Sequence, residues 1–221
     1  MKQLSIVMIS MNEENAIKKV LDDITASYPD CEIVIVDSST DKTAEIAVQY
    51  KNVKLIKQFP PAGYGNALIT ALKKASKNII VTLDCDNTYP VKYIKTLYQK
   101  IELENYDLVD GSRLKFKPKN MPLINYLANV FFGLIATILF GIKILDLHSG
   151  MRAYKKDYIN SLKWRPDGAA FPVELILMAL KHKKKLFIDY IEYNERLGIS
   201  KMQPINSAYW TIKRILQVKF S

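Results

Sequence analysis

Residues Ile79 to Leu83 form an apolar run that stops abruptly at Asp84-Cys85-Asp86, and Pro90 opens a new segment. A short apolar run bounded by turn signals reads as a strand buried on both faces of a parallel sheet. In open α/β sheets, ligands sit at the carboxyl ends of the strands. Two carboxylates two residues apart are therefore expected at the mouth of a sheet. A hard divalent cation takes such oxygens and commonly shares its shell with substrate phosphates. The motif points to the handling of a metal-bound nucleotide diphosphate. A solvated Asp pair in a loop is the competing reading.

The surrounding chain alternates strand and helix. Strands are expected at Leu4–Ser10, Cys31–Asp37, Val53–Gln58, Ile79–Leu83 and Asp107–Gly111. Helices are expected from Asn12 to Ser27, Thr40 to Tyr50, Asn66 to Ala75 and Val91 to Leu103. Such alternation predicts a largely parallel sheet with helices on both faces, a Rossmann-like α/β fold. Polar residues follow each strand: Ser10-Met11-Asn12-Glu13-Glu14, Asp37-Ser38-Ser39, Gly63-Tyr64-Gly65, Asp84-Cys85-Asp86 and Gly111-Ser112-Arg113. One such end is often only a helix cap, and Asn12, Ser39 and Asn66 each fit that role. Five along one sheet edge make a site.

Charge divides the chain. Residues 1–110 carry 13 Lys and Arg against 15 Asp and Glu, a net −2; residues 111–221 carry 19 against 7, a net +12. A basic second half suits an anionic partner: nucleic acid, a phosphorylated acceptor or an anionic membrane surface. The two cysteines, Cys31 and Cys85, sit in or beside expected strands, which suits a reducing, cytosolic compartment. Met1-Lys2-Gln3 runs straight into a strand, so no leader is expected.

The strings SIVMISMNEE, IVDSSTDKT, GYGNAL, LDCDNTYP, DLVDGSR, DLHSGMRAY, FPVEL and ERLGISK occur in that order between about residues 4 and 201. In order and spacing the chain resembles inverting glycosyltransferases of family 2 with the GT-A fold. Within them it is similar to the dolichol-phosphate mannosyltransferase and polyprenyl-phosphate glycosyltransferase group. The resemblance implies that Glu13 and Asp37 contact the nucleoside, that Ser10 and Asn12 belong to the same nucleotide-binding set, and that Gly63 and Gly65 let the backbone approach the nucleotide. It implies that Asp84 faces the donor sugar and ribose, and that Asp86 binds Mg²⁺ or Mn²⁺. Arg113, Arg152, Arg196, Ser200 and Lys201 would meet phosphates. The implied partners are a nucleotide diphosphate sugar, a polyprenyl or dolichyl phosphate and a membrane surface, and not nucleic acid. The chain departs from the group in having Ser10-Met11 before Asn12-Glu13, a single acidic residue at Asp37, and Thr88 where Gln is frequent. The third metal ligand is left open.

Asp146 is the candidate carboxylate near the acceptor. A hydroxyl acceptor needs a general base, whereas a phosphate acceptor is already anionic. Asp146 is thus either a base or the orienter of an Arg such as Arg152. His148 reads as structural. Glu174 is expected to cap a helix or face the cleft. A nucleotidyltransferase or dinucleotide-binding enzyme would carry a Gly-rich loop after the first strand, and Ser10–Asn15 has no glycine. The alternatives that remain are the same fold transferring the sugar to a hydroxyl of a saccharide or lipid, and a non-catalytic membrane-binding module.

Leu123–Ile142 contains no charged residue and is long enough to cross a membrane. A single span would separate Asp86 from Arg196–Lys201, which must share a substrate. Asn125, Asn129, Gly133, Thr137 and Gly141 recur every fourth residue as a small, partly polar stripe. The segment is therefore expected to lie in the membrane interface, with the stripe toward the catalytic domain and Phe131, Leu134 and Ile138 toward lipid. A buried core helix and a true span remain as alternatives. The basic, apolar segment 205–221, with Trp210, reads as a second interfacial helix. The organisation expected is a nucleotide-sugar-binding half (1–115), apolar interface helices (116–145), an acceptor-side half (146–204) and the C-terminal helix (205–221). The protein would be peripheral to the cytoplasmic face of a membrane.

Overall fold

The computed structural model describes residues 1, 3–199 and 203–221. Strands β1 (Leu4–Ser10), β2 (Glu32–Asp37), β3 (Val53–Lys57), β4 (Ile79–Thr82), β5 (Leu108–Ser112), β6 (Arg152–Lys155) and β7 (Leu186–Tyr190) form one sheet. Its order is β3-β2-β1-β4-β6-β5-β7. Helices are α1 (Ile17–Ser27), α2 (Thr43–Ala47), α3 (Tyr64–Lys74), α4 (Tyr93–Glu104), α5 (Leu123–Phe140), α6 (Lys156–Asn160), α7 (Phe171–Lys181) and α8 (Pro204–Phe220).

The inner strands read as apolar runs because both their faces are covered. Alternate side chains divide between two cores. Val7, Val34, Val36 and Ile80 pack under α3, α7 and α8. Ile6, Met8, Ile33 and Ile35 pack under α1 and α4. Helix α1 buries Ile17, Val20, Leu21 and Ile24, the spacing of one helical face.

Every strand pairs in parallel except β6, which lies antiparallel between β4 and β5. This four-residue strand was not expected from the sequence. Its register is fixed by a charge. Arg152 lies directly opposite Asp110 of β5, and its Nε donates to Asp110 Oδ1 at 2.6 Å. Both side chains are buried, so a one-residue slip would strand two charges. Because β1, β2, β3, β4, β5 and β7 run the same way, their carboxyl ends share one edge.

Helix α5 is a single helix, expected as one or two. Its small stripe faces the protein. Asn129 Oδ1 pairs with His148 Nδ1 at 3.1 Å, and Thr137 Oγ1 bonds both the N–H and the carbonyl of Ile144 at 3.1 and 3.2 Å. A Cβ on Gly133 would come within 2.6 Å of the Leu145 backbone. Residues 144–148 thus run back along α5 in the opposite direction.

Helix α8 is held by Arg214, which is fully buried and not an interfacial anchor. Its guanidinium pairs with Glu174 of α7 and donates to the Asp167 carbonyl at 2.6 Å. Glu174 also accepts the Arg165 N–H at 2.8 Å. Glu174 therefore binds α8 rather than facing the cleft. Arg214→Met should cost about 3–5 kcal/mol, because it leaves Glu174 buried and unpaired. Urea denaturation checks this: the midpoint falls while the slope holds.

Candidate active site

The loops after β1 and β2 are stitched together. Ser10 Oγ donates to Asp37 Oδ1 at 2.7 Å, and Ser39 Oγ donates to the same oxygen at 2.5 Å. Asn12 N–H donates to Ser39 Oγ at 2.8 Å, and Asn12 Oδ1 accepts the Thr40 N–H at 2.8 Å. Asn12, Ser39 and Asn66 cap no helix: α1, α2 and α3 have no side-chain N-cap bond. The first two polar side chains cross-link the loops, which pre-forms Ser10, Asn12, Glu13 and Asp37 as one wall. Gly63 has φ +91° with open space where a Cβ would stand, the conformation and room expected for a close approach. Gly65 differs from expectation. A Cβ there would lie 2.1 Å from the Pro166 carbonyl, so its missing side chain serves internal packing.

Asp84 and Asp86 follow β4 at the same edge. Asp86 is buried; Oδ1 accepts the Thr88 N–H at 3.0 Å and its hydroxyl at 2.5 Å, and Oδ2 accepts from Arg196 Nη1. Arg196 Nη2 reaches Glu13 Oε1 at 2.7 Å. Asp84 carries no hydrogen bond or ion pair among the described residues. A Cβ on Gly150 would fall 2.6 Å from its carboxylate, so Gly150 makes its room. A small cavity beneath Asp84 is lined by Ile9, Tyr64, Leu68, Ser149 and Leu175. Burial, then the Asp86 charge, push the Asp84 carboxyl up to about 7. A divalent cation would relieve that crowding, and two hard oxygens suit one whose remaining positions come from phosphates. No group of three or more His, Cys, Asp or Glu is placed to hold a metal among the described residues. Thr88, the departure noted in the sequence, spends its hydroxyl on Asp86.

Arg113 and Asp146 form a two-pronged pair. Arg113 Nε donates to Asp146 Oδ2 at 2.8 Å, Nη2 to Oδ1 at 2.7 Å, and the Arg113 N–H adds a third bond at 2.9 Å. The guanidinium also lies 5.2 Å from the Tyr193 ring and 6.0 Å from that of Tyr89. Burial alone would raise the Asp146 carboxyl, but Arg113 outweighs it and holds it below the usual carboxylate range. A carboxylate held this way is a poor base. Asp146 orients Arg113, not Arg152.

Arg152, expected to meet a phosphate, is an internal strut instead. It is buried, and beyond Asp110 it donates from Nη2 to the Leu147 carbonyl at 3.0 Å and from Nη1 to Pro172. All three guanidinium nitrogens are engaged inside the protein and the side chain is sealed from solvent, so it does not reach a phosphate. Ser200 and Lys201 lie outside the described residues. Phe131, Leu134 and Ile138 are exposed, 80% in the case of Ile138. Trp210 is not: its ring fills the space over Gly168, and Lys213 lies 4.3 Å above it. The large apolar side chains that α8 exposes are Ile205, Tyr209, Ile212, Leu216 and Phe220. Sequence reading missed Asp110, Tyr89 and Tyr193. A lone carboxylate inside the apolar β5 and a Tyr directly after the D-x-D loop were the available signals.

A seven-stranded sheet of this order, with a D-x-D loop at its carboxyl edge, defines a GT-A glycosyltransferase. Residues 5–163 match glycosyl transferase family 2, and the chain belongs to that family. It is 33% identical to the dolichyl-phosphate hexose transferase of Haloferax volcanii over 216 residues, 97% of this chain and 93% of that one. It is 28% identical to the UDP-N-acetylglucosamine–dolichyl-phosphate N-acetylglucosaminyltransferase of Methanococcus voltae over 229 residues, 91% of each chain. Glucosyl-3-phosphoglycerate synthase of Mycobacterium tuberculosis, solved with Mn²⁺, UDP and phosphoglyceric acid, has a TM-score of 0.80 at 20% identity. That match covers 99% of this chain and 79% of the other. The protein is a glycosyltransferase.

His148 joins α5 to α8, pairing with Asn129 and, through Nε2, with Thr211 Oγ1 at 2.8 Å. Burial pushes it down to about 4. The folded state therefore keeps it neutral, whereas the unfolded chain protonates near 6.5. Stability should be complete above pH 6.5 and fall as pH drops toward 4, by up to about tenfold in the folding constant per pH unit. Urea midpoints of the wild type and His148→Gln between pH 7 and 4.5 check this; the wild type should lose more.

Proposed function

We propose that this glycosyltransferase moves a sugar from a nucleotide diphosphate sugar to a polyprenyl or dolichyl phosphate at a membrane surface, with inversion and with Mg²⁺ or Mn²⁺. The observation that carries the reading is a chain of contacts. Gly150 lies against Asp84 and donates its N–H to Tyr89 Oη at 2.7 Å, the Arg113 guanidinium lies 6.0 Å from the Tyr89 ring and is clamped by Asp146, and the adjoining Leu145 packs on Gly133 of α5. A guanidinium thus lies between the D-x-D carboxylates and the exposed apolar helix, which supports its reading as the acceptor-phosphate contact.

In this reading Glu13 and Asp37 hold the nucleoside. Asp86, with Asp84, would hold the divalent ion, which when bound neutralises charge gathering on the leaving diphosphate. Arg113 orients the acceptor phosphate, whose oxygen attacks the anomeric carbon. The bond from that carbon to the diphosphate oxygen breaks as the new one forms on the opposite face. An anionic acceptor needs no base, which fits an Asp146 locked to an Arg. The curated relatives named above, both dolichyl-phosphate transferases, support the same acceptor class.

The membrane reading rests on α5. By length and composition it is the one helix among the described residues able to cross a membrane, with mean hydropathy 2.0 and 17% of it buried. A span would place the non-helical return segment 144–148 in hydrocarbon, where loop backbone is costly. Lying in the interface, α5 presents Leu127, Phe131, Leu134 and Ile138 to lipid. Buried, reduced Cys31 and Cys85 suit the cytoplasmic side.

The test is transfer from a panel of UDP- and GDP-sugars to a polyprenyl phosphate with Mn²⁺, read by product mass. Asp86→Ala should abolish product while the fold persists. Arg113→Lys, which keeps a cation against the buried Asp146, should raise KM for the lipid phosphate about 10- to 100-fold, the worth of a charge-assisted contact. Donor affinity should hold; an equal loss of donor affinity would assign Arg113 to the diphosphate instead. The double change Phe131→Ser and Leu134→Ser should reduce co-sedimentation with anionic liposomes and leave donor binding intact.

A further inference from the structure

We propose that Arg196 is a resident counter-cation that closes the donor site, and that a divalent cation must displace it from Asp86 before the site can work. This rests on the reading of Asp86 as the metal-holding residue.

One side chain occupies two carboxylates with different expected duties. Arg196 Nη1 bonds Asp86 Oδ2, and Nη2 bonds Glu13 Oε1 at 2.7 Å. The other Asp86 oxygen is taken by Thr88, and the residue is only 4% exposed. A dication on Oδ2 would share one oxygen with a guanidinium, and two positive charges a few ångströms apart repel. Metal and Arg196 therefore compete for Asp86.

The backbone closes with the side chain. Leu197 N–H donates to the Asp86 carbonyl at 2.9 Å, and Asn194 N–H donates to the Thr88 carbonyl at 2.9 Å. The segment is fastened directly to the D-x-D loop. The closed pose also has a defect: Arg196 Nε is buried with no acceptor among the described residues. An unsatisfied buried donor makes this pose easier to leave. A guanidinium freed from Asp86 carries a planar fork of donors suited to a diphosphate. The charge count then holds, since the dication takes the place of Arg196 at Asp86 while Arg196 compensates the incoming phosphates.

The competition has a sign that a simple phosphate-gripping arginine lacks. Mn²⁺ alone, without nucleotide, should bind Arg196→Gln about tenfold or more tightly than the wild type, as read by the EPR signal of free Mn²⁺. Equal or weaker binding by the variant overturns the proposal, as does absence of Mn²⁺ binding from both proteins. Should Arg196→Gln fail to fold, the wild type still decides. Saturating Mn²⁺ should speed hydrogen exchange of the Asn194 and Leu197 amides, and unchanged exchange with Mn²⁺ bound overturns the displacement. Sugar transfer to lipid phosphate is scored separately by product, so either claim can fail while the other stands.

Discussion

The ion pair between Arg113 and Asp146 decides the layout of the molecule. It joins the end of β5 to the segment that follows α5, and so closes residues 114–145 into a loop that leaves the sheet edge and returns to it. An uncharged helix of 18 residues, about 27 Å long, is thereby held against the domain instead of running away from it. The pair is buried, so its desolvation is offset only by good geometry, and three hydrogen bonds to one carboxylate supply that. Its value lies in specifying where α5 sits more than in net stability.

The same charge logic runs through the rest of the structure. Asp110 has Arg152, Glu174 has Arg214, and Asp86 with Glu13 has Arg196. The first two pairs are sealed and fasten strands and helices. The third is partly exposed and sits on the sheet edge beside the D-x-D loop. Asp84, in a room left by Gly150, has no hydrogen bond or ion pair among the described residues, and its carboxyl is pushed up by burial and by the Asp86 charge. Carboxyls perturbed in this way cluster at functional sites, which is what marks Asp84 as a candidate.

The first half of the chain was legible in the sequence because parallel strands announce themselves as apolar runs and their ends as polar loops. The strand-end positions of Ser10, Glu13, Asp37, Asp84, Asp86 and Arg113 followed from that pattern alone. The four-residue stripe on α5 was equally readable, since helical spacing puts Asn129, Gly133 and Thr137 on one side. What stayed hidden depended on partners distant in sequence. Arg152 and Arg214 look like any surface cation until Asp110 and Glu174 are brought against them. Trp210 looks like a membrane anchor until Gly168 opens a slot for it. Strand β6, four residues long and carrying an Arg, has no apolar run to betray it. Gly65 was read as room for a ligand, and the room is filled by Pro166.

If α5 lies along the surface, both its flanks face the same compartment. Lys117 and Lys143 are exposed on either side of it, while the native Cys31 and Cys85 are buried. Lys117→Cys and Lys143→Cys, each bound to the outside of sealed anionic vesicles, should both react with a membrane-impermeant maleimide at similar rates. Protection of one position until the vesicles are opened by detergent would mean that the helix crosses, and the shared site at the sheet edge would be contradicted.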